Sequence, residues 1–343
     1  MRKGFVKAVA CENILMAPRF DPKKDLVNLS GRVVIVTGAN RESGLGYGTV
    51  RHLARAGAKV YIAARNEKQS LASIEKIKAE LDGQTHGGKV CFLKLDLSDP
   101  RGVKKVAEEF MAKESRLDVL VNNAAIVFVP FEKTSDGVSK IITTNLVGPF
   151  VFTLTLLPLL AKTAAQEGSD VRIVNLTSLV HYIAPKIKKL KTLDDLNQEF
   201  RRRPLSAFTR YGHTKVLIIL WTKALHTYLN SPSTSSALPG TERITAMALD
   251  PGSVDTFSVR WPLPWLWRPF VRLVMTAPNL EVGTHPMAFA AAGKKIRDGK
   301  EAYGGRFLNE RFKIAKPSRN ARSEKISADL WTLLEKIKKD MGL

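Results

Sequence analysis

Short apolar runs alternate with longer stretches of helical periodicity along most of the chain. The runs that we interpret as strands are nearly all apolar and cover residues 32–37, 59–64, 90–95, 118–121, 171–176 and 244–249. Strands of this kind are buried on both faces, as a sheet between two helix layers requires. Amphipathic stretches such as residues 67–81 separate the early strands, which implies βαβ units. The pattern predicts an α/β protein with a single doubly wound parallel sheet of the Rossmann type and helices on both faces.

The domain organisation is predicted from the breaks in this alternation. No stretch rich in Gly, Pro or Ser divides the series, so we predict one domain over residues 31–343. Residues 1–30 are a leader of uncertain order. Within the domain, residues 182–204 form a long basic insertion and residues 261–275 form an aromatic, proline-rich segment.

Composition and charge narrow the function classes. The 343 residues are 44% hydrophobic and 25% charged, as in ordinary globular proteins. The net charge of +22 is dispersed, and the basic runs at 186–191, 201–203 and 336–339 lack interleaved aromatic residues. We therefore interpret these runs as solvated faces and expect no nucleic-acid partner.

The cysteines and the longest apolar runs bear on the compartment. The 2 cysteines, Cys11 and Cys91, lie in no cluster that builds a metal site or a disulfide framework, so we expect no metal and a reducing compartment. No run reaches the roughly 18–20 uninterrupted apolar residues of a membrane span. The sequence predicts a cytoplasmic protein, with membrane association as an alternative.

A glycine-rich turn follows the first predicted strand in the sequence VVIVTGANRESGLGYGT. Gly38, Gly44 and Gly46 open a helical pattern there, and a backbone without side chains can approach a pyrophosphate next to a helix N-terminus. A plain tight turn would explain the glycines alone but not this context. The turn predicts a dinucleotide site.

The same turn resembles the TGxxxGxG opening of the short-chain dehydrogenase/reductase family. TGAN at 37–40 and SGLG at 43–46 match its halves, and Arg41 and Glu42 are two residues beyond the usual spacing. The resemblance implies that the phosphates contact residues from this loop, namely Gly38, Arg41, Ser43, Gly44, Leu45 and Gly46.

The end of the second predicted strand bears on the choice of cofactor. An acidic residue there binds a free ribose 2′-hydroxyl, whereas arginine accommodates a 2′-phosphate. This chain has Arg65 at that point, and Arg41 adds a second positive charge. We predict NADP(H), with an exposed arginine of no function as the alternative interpretation of Arg65.

Further segments resemble the cofactor site of the family. LKLDLSD places Asp96 and Leu97 where the family holds the adenine ring, and VLVNNAA places Asn122 and Asn123 at its NNAG motif. Ala125 replaces the final glycine of that motif. ALDPGSVDT resembles the PGxVxT segment, which implies that the nicotinamide end is contacted by Pro251, Gly252, Val254 and Thr256.

Proton transfer at a substrate oxygen requires a group of suitable pKa, and a free tyrosine near 10 is a poor partner at neutral pH unless a cation lies beside it. In YGHTK, Lys215 follows Tyr211 by four residues, so both project from one helix face. The pair resembles the YxxxK motif of the family, which implies Tyr211 as general acid and base and Lys215 as its ammonium and a ribose ligand. Similar matches assign Ser178 in RIVNLTS to the substrate oxygen and Asn145 in ITTNLVGPF to a proton relay through its backbone and an ordered water.

Three further features of the sequence indicate a branch of the family. The long spacing from Ser178 to Tyr211, His181 after TSLV, and Leu330 with Trp331 resemble the retinol-dehydrogenase-like branch. We interpret the other histidines as surface or packing residues, namely His52, His86, His213, His226 and His285. Family members form dimers or tetramers through the helices of Asn145 and Tyr211, so a homo-oligomer is one expectation.

The aromatic segment beyond the nicotinamide motif bears on the substrate. Trp261, Trp265, Trp267 and Phe270 suggest an apolar lid over a hydrophobic substrate, since sites in such sheets form beyond the carboxyl ends of strands. Peripheral docking on a membrane and a subunit contact are the alternatives. The sequence thus predicts an NADP(H)-dependent oxidoreductase acting on a hydrophobic alcohol and its ketone or aldehyde. A carbon–carbon double-bond reductase and an NADP(H)-sensing scaffold protein without catalysis are the alternatives.

Overall fold

The computed structural model describes residues 20–82, 87–203, 205–252, 254 and 279–343. Its strands form one sheet in the order β3-β2-β1-β4-β5-β6-β7-β8. Strands β1 to β7 run parallel, and β8 is antiparallel to β7. The strands are β1 (Val33–Thr37), β2 (Lys59–Ala64), β3 (Val90–Lys94), β4 (Val119–Asn122), β5 (Arg172–Leu176), β6 (Thr245–Leu249), β7 (Phe307–Leu308) and β8 (Ile314–Ala315). The predicted doubly wound sheet is confirmed, with the two short edge strands as an addition.

Helices cover both faces of this sheet. The described helices are α1 (Pro22–Asp25), α2 (Leu45–Arg55), α3 (Glu67–Leu81), α4 (Pro100–Lys113), α5 (Lys140–Ala164), α6 (Leu193–Leu196), α7 (Ser206–Leu229), α8 (Pro232–Ala237), α9 (Leu280–Ala292), α10 (Lys294–Asp298), α11 (Lys300–Tyr303) and α12 (Glu324–Asp340). Alternate residues of β1 serve two cores, because successive side chains of a strand point to opposite faces. Ile35 packs with α4, α5, α7 and α12, whereas Val36 packs with α2, α3 and α9.

Helix α5 is long and apolar enough to cross a membrane by length and composition, with a mean hydropathy of 1.6 over its most apolar window. However, 78% of that window is buried inside the protein. Phe150 and Phe152 of α5 are fully buried in the core that also contains Trp221 of α7. The helix therefore serves as a core element between the sheet and its neighbours.

Two of the segments that interrupted the sequence pattern contain described residues that dock on this body. Residues 20–30 of the predicted leader dock on α9, where the Val27 N–H donates to the Ala292 oxygen at 2.9 Å. In the basic insertion, Leu190 and Leu196 are buried in the core while Lys188 and Lys189 are exposed. The insertion is thus held by buried apolar side chains, and its lysines face solvent.

Candidate active site

The turn after β1 brings the predicted phosphate-binding glycines against the end of β4. Gly38 has a φ of +69°, and a Cβ on it would lie 2.8 Å from the Ala124 Cα atom. A Cβ on Gly46 would lie 2.7 Å from the Asn123 Nδ2 atom. Helix α2 begins after Gly44, which provides no side-chain cap for the first N–H groups. This close-packed turn at an uncapped helix N-terminus fits a pyrophosphate.

The two additional residues of the loop form a tight turn at its outer side. The Gly44 N–H donates to the Arg41 oxygen at 2.9 Å, which closes the turn through Glu42 and Ser43. The Glu42 carboxylate pairs with the Lys76 ammonium of α3 at 2.6 Å. Arg41 and Ser43 remain exposed beside the glycines. The two additional residues are therefore accommodated in this turn, and Gly44 and Gly46 lie at the head of α2.

The Asn123 side chain joins the ends of β1 and β4. Its Nδ2 donates to the Thr37 oxygen at 2.7 Å and to the Gly38 oxygen at 3.3 Å. The Thr37 hydroxyl accepts the N–H groups of Asn123 and Ala124, each at 3.0 Å. These bonds make Asn123 a support of the phosphate turn, in addition to the cofactor contact that the sequence predicts.

Arg65 directly follows β2 and is 74% exposed. Its guanidinium lies 4.0 Å from the Asp96 carboxylate, which also accepts the Ser98 N–H at 3.0 Å and the Ser98 hydroxyl at 2.6 Å. The Leu97 side chain is buried in the core, and its main-chain oxygen lies close to Gly148 of α5. The predicted adenosine residues thus converge at the carboxyl ends of β2 and β3, with Arg65 pointing to solvent.

Helix α7 carries Tyr211 and Lys215 on one face, as their spacing predicts. The Lys215 ammonium lies 5.2 Å from the centre of the Tyr211 ring and donates to the Leu176 oxygen at 2.8 Å. The Thr177 hydroxyl donates to the Lys215 main-chain oxygen at 2.8 Å, which joins α7 to the end of β5. Both side chains therefore lie at the carboxyl edge of the sheet.

Ser178 follows β5 and completes this group. Its main-chain oxygen lies 2.7 Å from His181 Nδ1. The pKa of Tyr211 is raised by burial first and by the Asp250 carboxylate second, whereas the nearby Ser178 side chain lowers it. The phenol is therefore protonated at neutral pH in the cofactor-free protein.

Asn145 lies in a π-helical turn, Thr143–Val147, within α5. Its Oδ1 accepts the Ile126 N–H at 2.8 Å, and its Nδ2 donates to the Ile126 oxygen at 3.0 Å and to the Thr214 hydroxyl at 3.3 Å. Single π turns inside helices occur frequently at functional sites. Because these bonds engage both polar atoms of the side chain, a relay at this residue would use its backbone, as the resemblance implies.

Asp250, at the end of β6, is a site residue that the sequence analysis missed. It is fully buried, and burial first of all raises the pKa of its carboxyl to about 7. Burial likewise lowers the pKa of Lys215 to about 7, while Asp250 opposes that change. An acidic residue that ends an apolar strand was the available signal, but its burial could be known only from the packing of the sheet edge.

The nicotinamide segment is described in part. Gly252 has a φ of +84°, and its N–H donates to Asp250 Oδ1 at 3.0 Å. Pro251 is buried, and Val254 packs against Gly283 at the start of α9. The predicted contact Thr256 lies outside the described residues, as do Trp261, Trp265, Trp267 and Phe270.

Exposed apolar side chains occur in the loops next to the elements that carry Ser178 and Tyr211. Phe128, after β4, stacks on Phe208 of α7 with ring centres 5.7 Å apart. Other large apolar side chains with substantial exposure in the flanking loops are Leu179, Tyr182, Ile183 and Leu205. This rim was not predicted, because its members come from three separate loops.

The structure brings His52, Glu281 and His285 together, with their ligand atoms within 4.8 Å of one another. The sequence analysis had treated these histidines as separate surface or packing residues. Glu281, however, is ion-paired with Arg51 and Arg55 of α2, and burial lowers the pKa of His52 to about 3. Two guanidinium groups oppose a divalent cation at this place. We interpret the group as an ion-pair cluster between α2 and α9.

The fold and the site together define a dinucleotide-binding α/β oxidoreductase, and comparison with known proteins identifies its family. The family model described as short chain dehydrogenase matches residues 32–185. A short-chain dehydrogenase/reductase of Armillaria gallica is 36% identical over 325 residues, which are 94% of this chain and 97% of that protein. Retinol dehydrogenase 12 of Mus musculus is 33% identical over 312 residues, 90% of this chain and 86% of that protein. The chain belongs to the short-chain dehydrogenase/reductase family, and the expected likeness to retinol dehydrogenases is confirmed.

Solved structures agree with this assignment. A protein of Mycobacterium paratuberculosis has a TM-score of 0.65 at 27% sequence identity. The match covers 93% of this chain and 97% of that protein. The NADPH-bound carbonyl reductase from chicken fatty liver has a TM-score of 0.53 at 23% sequence identity. That match covers 84% of this chain and 99% of the reductase. The second likeness concerns the fold alone.

Proposed function

We propose that the chain is an NADP(H)-dependent oxidoreductase that interconverts a hydrophobic alcohol and its ketone or aldehyde, with Tyr211 as general acid and base. The observation that carries the proposal is the group of Ser178, Tyr211 and Lys215 at one edge of the sheet. When bound, the cofactor supplies or accepts the hydride. The side chains of this group handle the substrate oxygen and its proton.

In the reduction direction, the Tyr211 hydroxyl donates its proton to the substrate oxygen while the Ser178 hydroxyl holds that oxygen by a hydrogen bond. Burial supports this direction because it raises the pKa of Tyr211 and keeps the donor protonated. In the oxidation direction, Tyr211 removes the proton of the alcohol. The Lys215 ammonium then favours the phenolate, since an opposite charge nearby stabilises the charged form.

Two arginines support NADP(H) as the cofactor. The exposed guanidinium of Arg65 stands at the end of β2, where a dinucleotide presents its adenosine ribose. Arg41 is exposed in the neighbouring glycine turn. A guanidinium matches a phosphate in fork geometry, so these side chains favour a ribose 2′-phosphate over a free hydroxyl.

The exposed apolar rim supports a hydrophobic substrate. Phe128, Leu179, Ile183 and Leu205 are exposed in the loops after β4 and β5 and before α7, which adjoin the elements that carry Ser178 and Tyr211. Covering apolar surface of this kind with a ligand lowers the free energy by roughly 25 cal/mol per Å² of buried area. The proposed substrate therefore has an apolar body and one oxygen that reaches Ser178 and Tyr211.

The test is NADPH oxidation with a panel of hydrophobic ketones and aldehydes, repeated with NADH and with Tyr211→Phe. We expect turnover with NADPH well above that with NADH and almost none in the variant. Turnover that survives Tyr211→Phe would refute the role of Tyr211. The panel includes an enone, because an allylic alcohol as the product supports carbonyl reduction and a saturated ketone supports the double-bond reductase alternative.

A further inference from the structure

Ser178 is anchored through the main chain on both sides of its Cα atom. On the N-terminal side, the Thr177 N–H donates to the Leu249 oxygen of β6 at 2.8 Å, and the Thr177 hydroxyl donates to the Lys215 oxygen of α7 at 2.8 Å. On the C-terminal side, the Ser178 oxygen is held by His181, three residues further along the chain. The direction in which the Ser178 side chain leaves the main chain therefore depends on both anchors.

His181 bonds the Ser178 oxygen twice. Its main-chain N–H donates at 3.0 Å, as the 3₁₀ turn requires, and its ring Nδ1 lies at 2.7 Å from the same oxygen. Because a carbonyl oxygen can only accept, Nδ1 carries the proton of the second bond. Burial lowers the pKa of His181, while the bond to Ser178 raises it. The ring is therefore neutral at neutral pH, with its proton on Nδ1.

The imidazole ring is fixed by packing against the sheet. His181 is 0% exposed, and its ring centre lies 4.0 Å from that of Tyr182 and 5.1 Å from that of Phe307 in β7. Phe307 in turn pairs with Ala248 of β6. Rings on two sides restrict the rotation of the imidazole, so Nδ1 is presented to Ser178 in a fixed direction.

Stability alone does not explain a histidine at this position. Its Nε2 atom is buried and has no hydrogen-bond partner among the described residues. A buried polar atom without a partner is unfavourable in free energy. A phenyl ring would fill the same place between Tyr182 and Phe307 without that cost. The Nδ1–H group is what the histidine adds.

We propose that His181 is a positioning residue for Ser178, whose main-chain oxygen it holds so that the serine hydroxyl stays at the edge of the sheet near Tyr211. The effect on catalysis rests on the proposed function, because His181 acts through the hydrogen bond from Ser178 to the substrate oxygen. The bond from the ring to Ser178 is a property of the protein without cofactor. Its failure and the failure of the proposed function can therefore be told apart.

Two exchanges at this residue separate the ring from its donor. His181→Phe keeps a flat ring and removes the donor, whereas His181→Asn keeps an N–H donor near the place of Nδ1 and removes most of the ring. We expect kcat/KM for carbonyl reduction to fall about tenfold in His181→Phe, as for the loss of one hydrogen bond, and to fall less in His181→Asn. The free energy of unfolding should follow the opposite order, with His181→Phe the more stable variant. Activity that follows stability across the two variants would overturn the proposal.

A double-mutant cycle with Ser178→Ala tests whether His181 acts through Ser178. Ser178→Ala removes the hydroxyl and leaves the main-chain oxygen in place. In this background the loss caused by His181→Phe should shrink to less than about twofold, because the group that His181 positions is absent. A loss that remains about tenfold would overturn the proposal. His285→Phe, the same exchange at a half-buried histidine beside the Phe20 ring, is the matched control and should leave kcat/KM unchanged.

NMR of the ¹⁵N-labelled histidine rings reports the bond without turnover. In full-length, cofactor-free protein at neutral pH, we expect His181 as the neutral Nδ1–H tautomer, and His181→Asn assigns it by removing one ring from the spectrum. The Nε2–H tautomer at His181 would overturn the proposal, whether or not either variant folds. An Nδ1–H tautomer in a protein that reduces no carbonyl compound would support the bond to Ser178 and refute the proposed function.

Discussion

The Lys215 ammonium donates a hydrogen bond of 2.8 Å to the main-chain oxygen of Leu176, the last residue of β5. This bond holds the charge at the sheet edge, 5.2 Å from the centre of the Tyr211 ring. Burial disfavours the ammonium and lowers the pKa of Lys215 to about 7. A buried ammonium is unfavourable for stability. Its presence at this position is consistent with the role that we propose for Lys215 beside Tyr211.

Replacing Lys215 by Met separates the contribution of this side chain to catalysis from its contribution to stability. We expect kcat/KM to fall by about 100-fold or more, in the range that loss of an acid–base partner produces. The free energy of unfolding at pH 7 should not fall, because the folded protein no longer buries an ammonium. Steady-state kinetics and urea unfolding measure the two effects. Lys223→Met, an exchange in the same helix at a lysine bonded to Glu324 and to the Arg322 oxygen, is the control that should keep its activity.

Tyr211→Phe removes one hydroxyl from the same helix. We expect turnover to fall by at least about 100-fold, because no other group donates the proton, while dinucleotide affinity changes little. Calorimetric titration of NADPH and single-turnover kinetics measure these quantities. Tyr228→Phe, further along α7 where the ring packs on Trp331, is the matched control. Equal losses in the two variants would assign the effect to packing of the helix.

The parts of the site that sequence alone could predict depend on short-range spacing. The four-residue interval from Tyr211 to Lys215 determines a common helix face, and the glycines after an apolar run determine a turn. The actual partners of Asn123 depended on the adjacency of β1 and β4, which are far apart in the chain. The burial of Asp250 likewise depends on β7, whose Leu308 oxygen accepts the Asp250 N–H.

Other features are too short or too irregular to be predicted from a sequence pattern. Strands β7 and β8 have two residues each, too few to show a period of two. The π turn at Asn145 arises inside a helix whose periodicity is otherwise regular. The basic insertion was interpreted from its charges, yet Leu190 and Leu196 determine how it docks. Tertiary packing decides each of these cases.

Cofactor preference should reverse when the charge at the end of β2 is reversed. Arg65→Asp places a carboxylate near the ribose position and beside Asp96, so a 2′-phosphate meets repulsion in place of a charged hydrogen bond. We expect kcat/KM with NADPH to fall about 10–100-fold, which corresponds to a bond of roughly 1.5–3 kcal/mol to a charged group. Activity with NADH should be maintained or rise. Arg297→Asp, at an exposed arginine of α10, is the control, and an unaltered NADPH/NADH ratio in Arg65→Asp would contradict the assignment.

The Asn145 side chain is expected to serve stability through Ile126. Asn145→Ala leaves the half-buried N–H and oxygen of Ile126 without their partner, at a cost of about 1 kcal/mol or more in the free energy of unfolding. Asn145→Asp retains the acceptor for the N–H but opposes the Ile126 oxygen, so it should recover only part of the loss. Urea unfolding with Asn230→Ala, at an exposed helix end, as the control tests this expectation. An Asn145→Ala protein as stable as the wild type would show that water replaces the amide.

We expect His213 to cause part of the loss of folding stability at acidic pH. This histidine is buried in α7 against the Phe200 ring. Burial lowers its pKa from 6.5 to about 4, so the neutral ring is favoured in the folded state. This contribution to stability is present above pH 6.5 and is lost as the pH falls toward 4, by about 2.5 kcal/mol at pH 4.5.

The variant His213→Gln cannot gain a proton there, so its free energy of unfolding should decline less than that of the wild type between pH 7.5 and 4.5. Urea unfolding at the two pH values measures the difference. His226→Gln, at a half-buried histidine near the other end of α7, is the comparison: burial also lowers the pKa of His226, but the ring is only half-buried, so this variant should recover a smaller part of the decline than His213→Gln. If both variants follow the wild type, other titrating groups cause the acid sensitivity, and the buried His52, with a pKa lowered to about 3, is the next to replace.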